Sequence, residues 1–529
     1  MKFKSIQWIP CLAAMLVATA LAAVEAETRA QRLSSNQIND ALKSGRKAIR
    51  TGEYNKAISI YKDLLEKSDQ PVQAHLGLSL SYLKSQNYQL CYDHANLALK
   101  INSSSARARA LAGMALLRSG FVGNAVVELI EAIKLDPKES LAYGAAAEID
   151  YYEGRARESR AKAFQAYSLD SQEPDFLITI ARASSRLEMF AEAADAYEQF
   201  LVISPKTDVE RRDRIRGLIN FYRQLAGIEI HQLNGPPSSQ IPFQLGSDRR
   251  PYIKLKLNGR DAVFVIDTGS GFTVVSKDAA KRFGVSEIAK GGTSQGVGGT
   301  GKFPIVYGLI RNLQIGDFRI RSVPCFIRPF HGHEDRPRDE QSDGFIGLSI
   351  LSHFLAEIDY KDNAIRLLRD NDKPLIEVAP LATVVPFRTT QNGLISIETE
   401  LEGAHRINAI LDSGASSTVI SSAAVDRLRM RDSIIKGQTV RVIGAGGISE
   451  NVELLFIKTC RVADLQQYNM RALVLDFDAI NETSGFEQSG ILGGDFLRNL
   501  RITIDFTRAQ VAFTPLSPSV EKKPTDRQK

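Results

Sequence analysis

The sequence predicts a multidomain chain, an all-α array of stacked helical hairpins followed by two mostly-β lobes of one design. Three observations predict it. Small and apolar residues recur every 34 residues from Ile38 to about Thr207. After residue 250 the apolar period changes from helical to alternating. Two apolar approaches, Val265-Ile266-Asp267-Thr268-Gly269-Ser270 and Ile410-Leu411-Asp412-Ser413-Gly414-Ala415, each end in an aspartate on a glycine-containing turn, 145 residues apart. A carboxylate delivered to the edge of a core needs partners or a task.

Length and composition bound the reading. At 529 residues the chain is too long for one core. With 43% apolar and 24% charged residues it is of ordinary globular type, and a net charge of +6 marks neither a nucleic-acid footprint nor a polybasic membrane patch. Lys2 and Lys4, an apolar stretch from Ile6 to Val24, and the small-residue pattern ending at Ala26 read as a secretory signal peptide over residues 1–26. That places the remaining chain in the periplasm or outside the cell; an uncleaved membrane anchor is the alternative. No later segment approaches the ~20 apolar residues of a membrane span. Beyond the leader remain Cys91, Cys325 and Cys460, which form neither a disulfide framework nor a zinc spacing, although one bond between two of them stays open. No cofactor or metal is expected.

The helical array is read over residues 38–227. At the helix-crossing position, Ala57, Cys91, Ala125, Ser159 and Ala193 follow at steps of 34. Four residues on stand Tyr61, Ala95, Leu129, Ala163 and Tyr197; seven on stand Leu64, Ala98, Ala132, Ala166 and Phe200. Offsets of four and seven share one helical face. Twelve residues before the crossing, Gly45, Ser79, Gly113, Ala147 and Ala181 are all small. Pro137 and Pro205 stop their helices at equivalent places. The pattern resembles the tetratricopeptide repeat, without the large aromatic early in that motif. The resemblance implies a surface for a protein partner, with a plain spacer as the alternative. Residues 208–227 read as a charged, amphipathic capping helix.

Residues 228–249, rich in Gly, Pro and Ser, read as a linker. The first lobe then spans 250–370 and the second 385–516, with a disordered tail at 517–529. In the first lobe Ile253, Leu255 and Leu257 alternate, Asn258-Gly259 turns, and a return strand runs into Asp267. In the second, Leu394 to Leu401 alternates, Glu402-Gly403 turns, and residues 407–411 run into Asp412. The order continues in both copies. Thr273-Val274-Val275-Ser276 matches Thr418-Val419-Ile420-Ser421, and Gly296-Val297-Gly298-Gly299 matches Gly444-Ala445-Gly446-Gly447. Gly344-Phe345-Ile346-Gly347 matches Gly490-Ile491-Leu492-Gly493, and Ile358-Asp359-Tyr360 matches Ile504-Asp505-Phe506.

Asp267-Thr268-Gly269 and Asp412-Ser413-Gly414, with the later Phe345-Ile346-Gly347 and Ile491-Leu492-Gly493, resemble aspartic proteases of the retroviral, retropepsin-like type. The first copy carries Leu348-Ser349 where the second has Gly494-Asp495, a local departure. The resemblance implies an aspartic endopeptidase acting on polypeptides through a water between Asp267 and Asp412. Two close carboxyls cannot both ionise, so one acts as base while the other holds the proton. It further implies that Thr268 and Ser413 hydrogen-bond across the lobes, that Gly269 and Gly414 permit the tight turns, and that Gly296, Gly298, Gly299, Gly444, Gly446 and Gly447 belong to flaps over substrate. Two lobes in one chain imply intramolecular pairing in a monomer; pairing of like lobes between chains is another arrangement. A non-catalytic peptide-binding scaffold using the same cleft is the alternative function. His331-Gly332-His333-Glu334-Asp335, within a Pro- and charge-rich stretch from Arg328 to Asp343, reads as a solvated loop rather than a metal site.

Overall fold

The computed structural model describes residues 32–299, 301–330, 341–369, 375–378 and 381–516. The leader, the His331–Asp335 run and the tail from 517 lie outside them. Two compact units make up the chain. One takes residues up to Leu116 with Gly123–Ala142 and Ser204–Thr207; the other takes Leu117–Val122, Tyr143–Ile203 and everything from Asp208.

Five helical hairpins follow the 34-residue period: Ser35–Thr51 and Tyr54–Lys67 (α1, α2), Pro71–Lys84 and Tyr88–Ile101 (α3, α4), Ala106–Arg118 and Val122–Leu135 (α5, α6), Ser140–Tyr152 and Ala156–Leu169 (α7, α8), and Asp175–Arg186 and Phe190–Ile203 (α9, α10). The first begins with a capping box, Ser34 and Gln37 each holding the other's backbone N–H. Ala57, Cys91, Ala125, Ser159 and Ala193 are all fully buried. The small residues twelve positions earlier are likewise what the crossings require: a Cβ on Gly45 would run into the Tyr61 ring, and one on Gly113 into Leu129. The three cysteines are free and buried, each in its own site. Among the described residues no helix is long and apolar enough to cross a membrane.

Helix α11, Val209–Leu225, is read from the sequence as a charged, amphipathic capping helix. In the structure it is packed on both sides. Tyr222 stacks with Phe190 and Tyr197 of the last hairpin, while Phe221 stacks on Tyr307 at 4.3 Å between ring centres. Ile215, Ile219 and Phe221 therefore share one hydrophobic cluster with Tyr307 and its neighbours Ile288 and Ile305.

The segment 228–249 is not a linker. It carries strands β1 (Gln232–Asn234) and β2 (Ser238–Leu245), and β2 pairs with both β3 (Pro251–Leu257) and β11 (Ala364–Leu368). Ser239, Ile241 and Phe243 alternate inward along β2, a period-2 signal masked by the Gly-Pro-Pro-Ser-Ser run before it.

Each lobe is built alike. In the first, β3 turns through Asn258-Gly259 into β4 (Arg260–Ile266). Strand β5 (Thr273–Ser276) follows, then the flap hairpin of β6 (Ser286–Gln295) and β7 (Lys302–Ile315), then β8 (Phe318–Arg328) and the short β9 (Gly344–Ile346). β9 inserts between β4, to which it is parallel, and β5, to which it is antiparallel. β10 (Leu355–Asp359) precedes β11. β12 (Thr383–Pro386) and β13 (Arg388–Thr389) lead into the second lobe. There β14 (Ile395–Leu401), β15 (His405–Leu411), β16 (Val419–Ser421), the flap hairpin of β17 (Ile434–Gly444) and β18 (Gly447–Val462), β19 (Leu465–Leu475) and β20 (Gly490–Leu492) repeat the order, with β20 between β15 and β16. Ser276 and Ser421 cap equivalent short helices, accepting from Ala279 N and Ala424 N.

The lobes are joined by shared sheet. β21 (Leu500–Asp505) pairs with β10, and β22 (Gln510–Pro515) pairs with β21 and with β12, so second-lobe strands continue the first lobe's sheet. One hydrophobic cluster runs through both, from Phe264 and Ile346 to Leu492, Ile502 and Phe513. Asp359 and Asp505 end matched strands in this shared layer, fully buried, and pair with Arg501 and Arg508.

Candidate active site

The two aspartates stand where the sequence delivers them, at the exits of β4 and β15. Each backbone is held by the short strand beneath it: Asp267 N donates to Ile346 O at 3.0 Å and Asp412 N to Leu492 O at 3.1 Å. The hydrophobic-hydrophobic-glycine elements thereby fix the aspartate turns in space. Gly269 N donates to Asp267 Oδ1 at 2.9 Å and Gly414 N to Asp412 Oδ1 at 2.8 Å, orienting each carboxyl from its own turn.

Across the lobes, the hydroxyl residues interlock. Thr268 Oγ1 donates to Leu411 O (2.8 Å) and accepts from Ser413 N (2.9 Å), while Ser413 Oγ donates to Ile266 O (2.8 Å) and accepts from Thr268 N (3.1 Å). Both residues are buried, so these bonds are shielded from water. The glycines are demanded by close approach: a Cβ on Gly269 would strike the Asp412 carboxyl, and one on Gly414 the Asp267 carboxyl. The two loops of one chain thus bring the two carboxyls together.

Both carboxyls are held above the usual range. Burial is the main cause for Asp412, followed by the charge of Asp267 and their shared hydrogen bond. Asp267 is raised by burial too, but the hydrogen bond from Asp412 and the positive charges of Arg328 and Arg250 oppose the rise. The pair therefore titrates as a unit that keeps one proton.

The glycine-rich segments meet. Gly446 N donates to Val297 O at 3.0 Å, and Gly301 N to Gly446 O at 3.1 Å. Gly296 and Gly299 abut Gly446, and Gly298 abuts Gly444, at distances that leave no room for side chains. Gly447, with φ of +121°, serves the turn and faces open space. The flap tips are tied to the aspartates through Arg328, whose Nη1 donates to Ala445 O at 3.4 Å and whose charge acts on Asp267.

Two features are absent from the sequence reading. Arg328 belongs to the end of β8, not to a solvated loop: its guanidinium lies over the rings of Phe303, Phe330 and Phe345. The first flap is also docked on α11. Gly291 and Gly217 meet backbone to backbone, Gly292 lies against Arg214, and Lys302 pairs with Glu210 at 2.7 Å. Only the paired small residues Gly217 and Gly291-Gly292 signal this in the sequence, and nothing local connects them. The departure at Ser349 also resolves. Thr418 N and Oγ1 both donate to Asp495, whereas in the first lobe Ser349 Oγ takes that place, accepting from Thr273 N at 3.0 Å.

Residues 253–350 and 397–496, one segment from each lobe, match the model of the aspartyl protease family. Both lobes are of the aspartyl protease type. A segment of 121 residues is 32% identical to DNA damage-inducible protein 1 of Kluyveromyces lactis, covering 22% of this chain and 26% of that protein. Against DNA damage-inducible protein 1 of Saccharomyces cerevisiae the identity is 30% over 119 residues, covering 22% and 25%. The matched segment thus spans about a quarter of the length of these relatives. Among solved structures, a thermophilic TPR protein of Thermus thermophilus aligns at a TM-score of 0.30 and 18% identity, covering 34% of this chain and 98% of that one. PilF of Pseudomonas aeruginosa aligns at 0.27 and 16%, covering 36% and 86%. The aspartyl protease lobes begin at the end of the helical array, where α11 meets the first flap.

Proposed function

We propose that this chain is an aspartic endopeptidase whose single active site is assembled from Asp267 and Asp412. The observation that carries the reading is the reciprocal Thr268–Ser413 lock, which holds the two aspartate turns of one chain together. In the reaction, Asp267, the carboxyl on which the charges of Arg328 and Arg250 act, takes a proton from a water lying between the carboxyls. The hydroxide attacks the peptide carbonyl carbon while Asp412 gives its proton to the carbonyl oxygen. Collapse of the tetrahedral diol then breaks the C–N bond, as Asp267 passes its proton to the leaving nitrogen and Asp412 recovers one from the diol. Because burial and the neighbouring charge raise Asp412 well above the ordinary range, the singly protonated pair persists to higher pH than a lone carboxyl would, and activity falls on either side of that window.

In this reading the helical array recruits a polypeptide substrate or a protein partner, and the leader at 1–26 directs the enzyme to the periplasm or the exterior. The test compares the wild type with Asp267→Asn and Asp412→Asn on a diverse peptide library from pH 3 to 8, reading new termini by mass spectrometry. Cleavage by the wild type, blocked by a pepstatin-type inhibitor and lost in both variants, is the expected outcome. Full activity in Asp412→Asn would overturn the shared site; absence of new termini at every pH would leave a peptide-binding scaffold.

A further inference from the structure

The two lobes follow one plan, so residues at equivalent register positions can be compared directly. In the first lobe β5 runs beside β8, with Val275 opposite Ile327 and Ser276 opposite Arg328. In the second, β16 runs beside β19, with Ile420 opposite Val474 and Ser421 opposite Leu475. Arg328 therefore occupies the place that Leu475 holds across the cleft. The neighbouring position differs in the same sense: Phe345, opposite Val274, answers to Ile491, opposite Val419. At these matched positions the second lobe is aliphatic and the first is aromatic and cationic.

The surroundings of Arg328 are those of a guanidinium held ready rather than satisfied. Its central carbon lies 5.6 Å from the Phe303 ring centre and 5.7 Å from those of Phe330 and Phe345, so three aromatic faces fix the head group. Phe303 belongs to the flap hairpin, and Phe345 stands next to Ile346, whose carbonyl anchors Asp267. Of five N–H donors, one makes a long 3.4 Å bond to the Ala445 carbonyl, and Nε, shielded from water, has no hydrogen-bond partner among the described residues. Asp267, whose charge acts on it, is the reacting group and cannot serve as a permanent counter-ion. A planar cation with unused donors, in a wall of rings beside the scissile position, matches a carboxylate.

Resting on the endopeptidase reading above, we propose that Arg328 is the specificity-determining residue of the cleft. It receives the side-chain carboxylate of an aspartate or glutamate on the first-lobe side of the scissile bond, while Leu475 and Ile491 receive an apolar residue on the other. The Ala445 carbonyl holds the guanidinium and yields it when such a substrate enters.

The experiment uses the full chain and amidated peptide libraries in which each position near the cut carries Glu, Gln, Lys or Leu. Wild-type kcat/KM should favour Glu over Gln at one position by roughly 10–100-fold, mostly through KM. Arg328→Gln should reduce the ratio to within about twofold, and Arg328→Glu should turn the preference toward Lys. Equal cleavage of Glu and Gln peptides by the wild type, or a Glu preference that survives in Arg328→Gln, overturns the proposal. So does a preference seen only for peptides with a free C-terminal carboxylate and lost on amidation, since the carboxylate would then be the chain end. A second arm measures binding of labelled Glu and Gln peptides to Asp412→Asn and to Asp412→Asn/Arg328→Gln. Selective binding that requires Arg328 supports the subsite even if no peptide is cut, so failure of the catalytic reading and failure of this one give different results.

Discussion

Replacing Thr268 by valine keeps the side-chain volume and shape but removes one oxygen from the lock between the lobes. That oxygen donates to Leu411 O at 2.8 Å and accepts from Ser413 N at 2.9 Å, in a site where Thr268 is 1% exposed. Valine leaves a buried carbonyl and a buried N–H without partners, each costing about 1–3 kcal/mol, so about 3 kcal/mol is the expected loss. Thr268→Ser, which keeps the hydroxyl, should lose about 1 kcal/mol or less. Ser413→Ala removes the reciprocal pair of bonds, to Ile266 O and from Thr268 N. Once either variant lets water between the loops, the second hydroxyl has less left to lose, so the double variant should fall short of the summed costs by about 1 kcal/mol. Urea unfolding of the full chain, followed by far-ultraviolet circular dichroism on the β transition, measures all four. A Thr268→Val loss below about 0.5 kcal/mol, or strict additivity in the cycle, would refute the lock as the element that joins the two turns.

Two further outcomes follow from other parts of the molecule. Gly291→Val pushes a side chain into the Gly217 backbone and should lift the first flap from α11. Amide exchange in residues 302–309 should then rise at least about tenfold while 447–462 stays unchanged, and unchanged protection in both hairpins would show that the docking is not needed. His231 packs against His353 at 4.7 Å between ring centres, and burial with the neighbouring ring pushes it down to about 3. A depressed histidine is neutral when folded but protonates when unfolded, so its contribution is present above pH ~6.5 and is lost as pH falls toward 3. His231→Asn, a residue that accepts the φ of +49° found there, should gain about 2 kcal/mol relative to wild type between pH 8 and pH 5. A pH-independent difference between the two proteins would contradict that assignment.

What could be read from the sequence was whatever repeats. The helical crossings announce themselves because Ala57, Cys91, Ala125, Ser159 and Ala193 must all be small for the same reason, and the reason recurs every 34 residues. The paired aspartate turns were legible because β4 and β15 approach them alike and because β9 and β20 return beneath them in the same order. What stood only once stayed hidden. Strand β2 has no repeat partner to expose it and follows a Pro-rich run. Arg328 sits before a charged stretch, so local composition pointed to solvent although the fold places it among rings. The docking of α11 depends on Gly217 meeting Gly291, a contact between residues 74 apart that no periodicity marks.

The docking of the first flap sets how the cleft can open. Strands β6 and β7 share a hydrophobic cluster with the last helical hairpin through Phe221, Tyr307 and Ile305. The second flap carries Ile443 and Ile448 at its end, each about two-fifths exposed. On the proposed endopeptidase function, a cleft whose two flaps are so unequally held would work as a jaw with one fixed side: a polypeptide would enter when the β17–β18 hairpin swings away, with the β6–β7 hairpin as the anvil it closes upon. Anything that shifts α11 would move the anvil itself. If the helices recruit a protein as proposed, the free energy linking that helix to substrate affinity would act equally in both directions, so a cleft filled with peptide would alter what the helices bind.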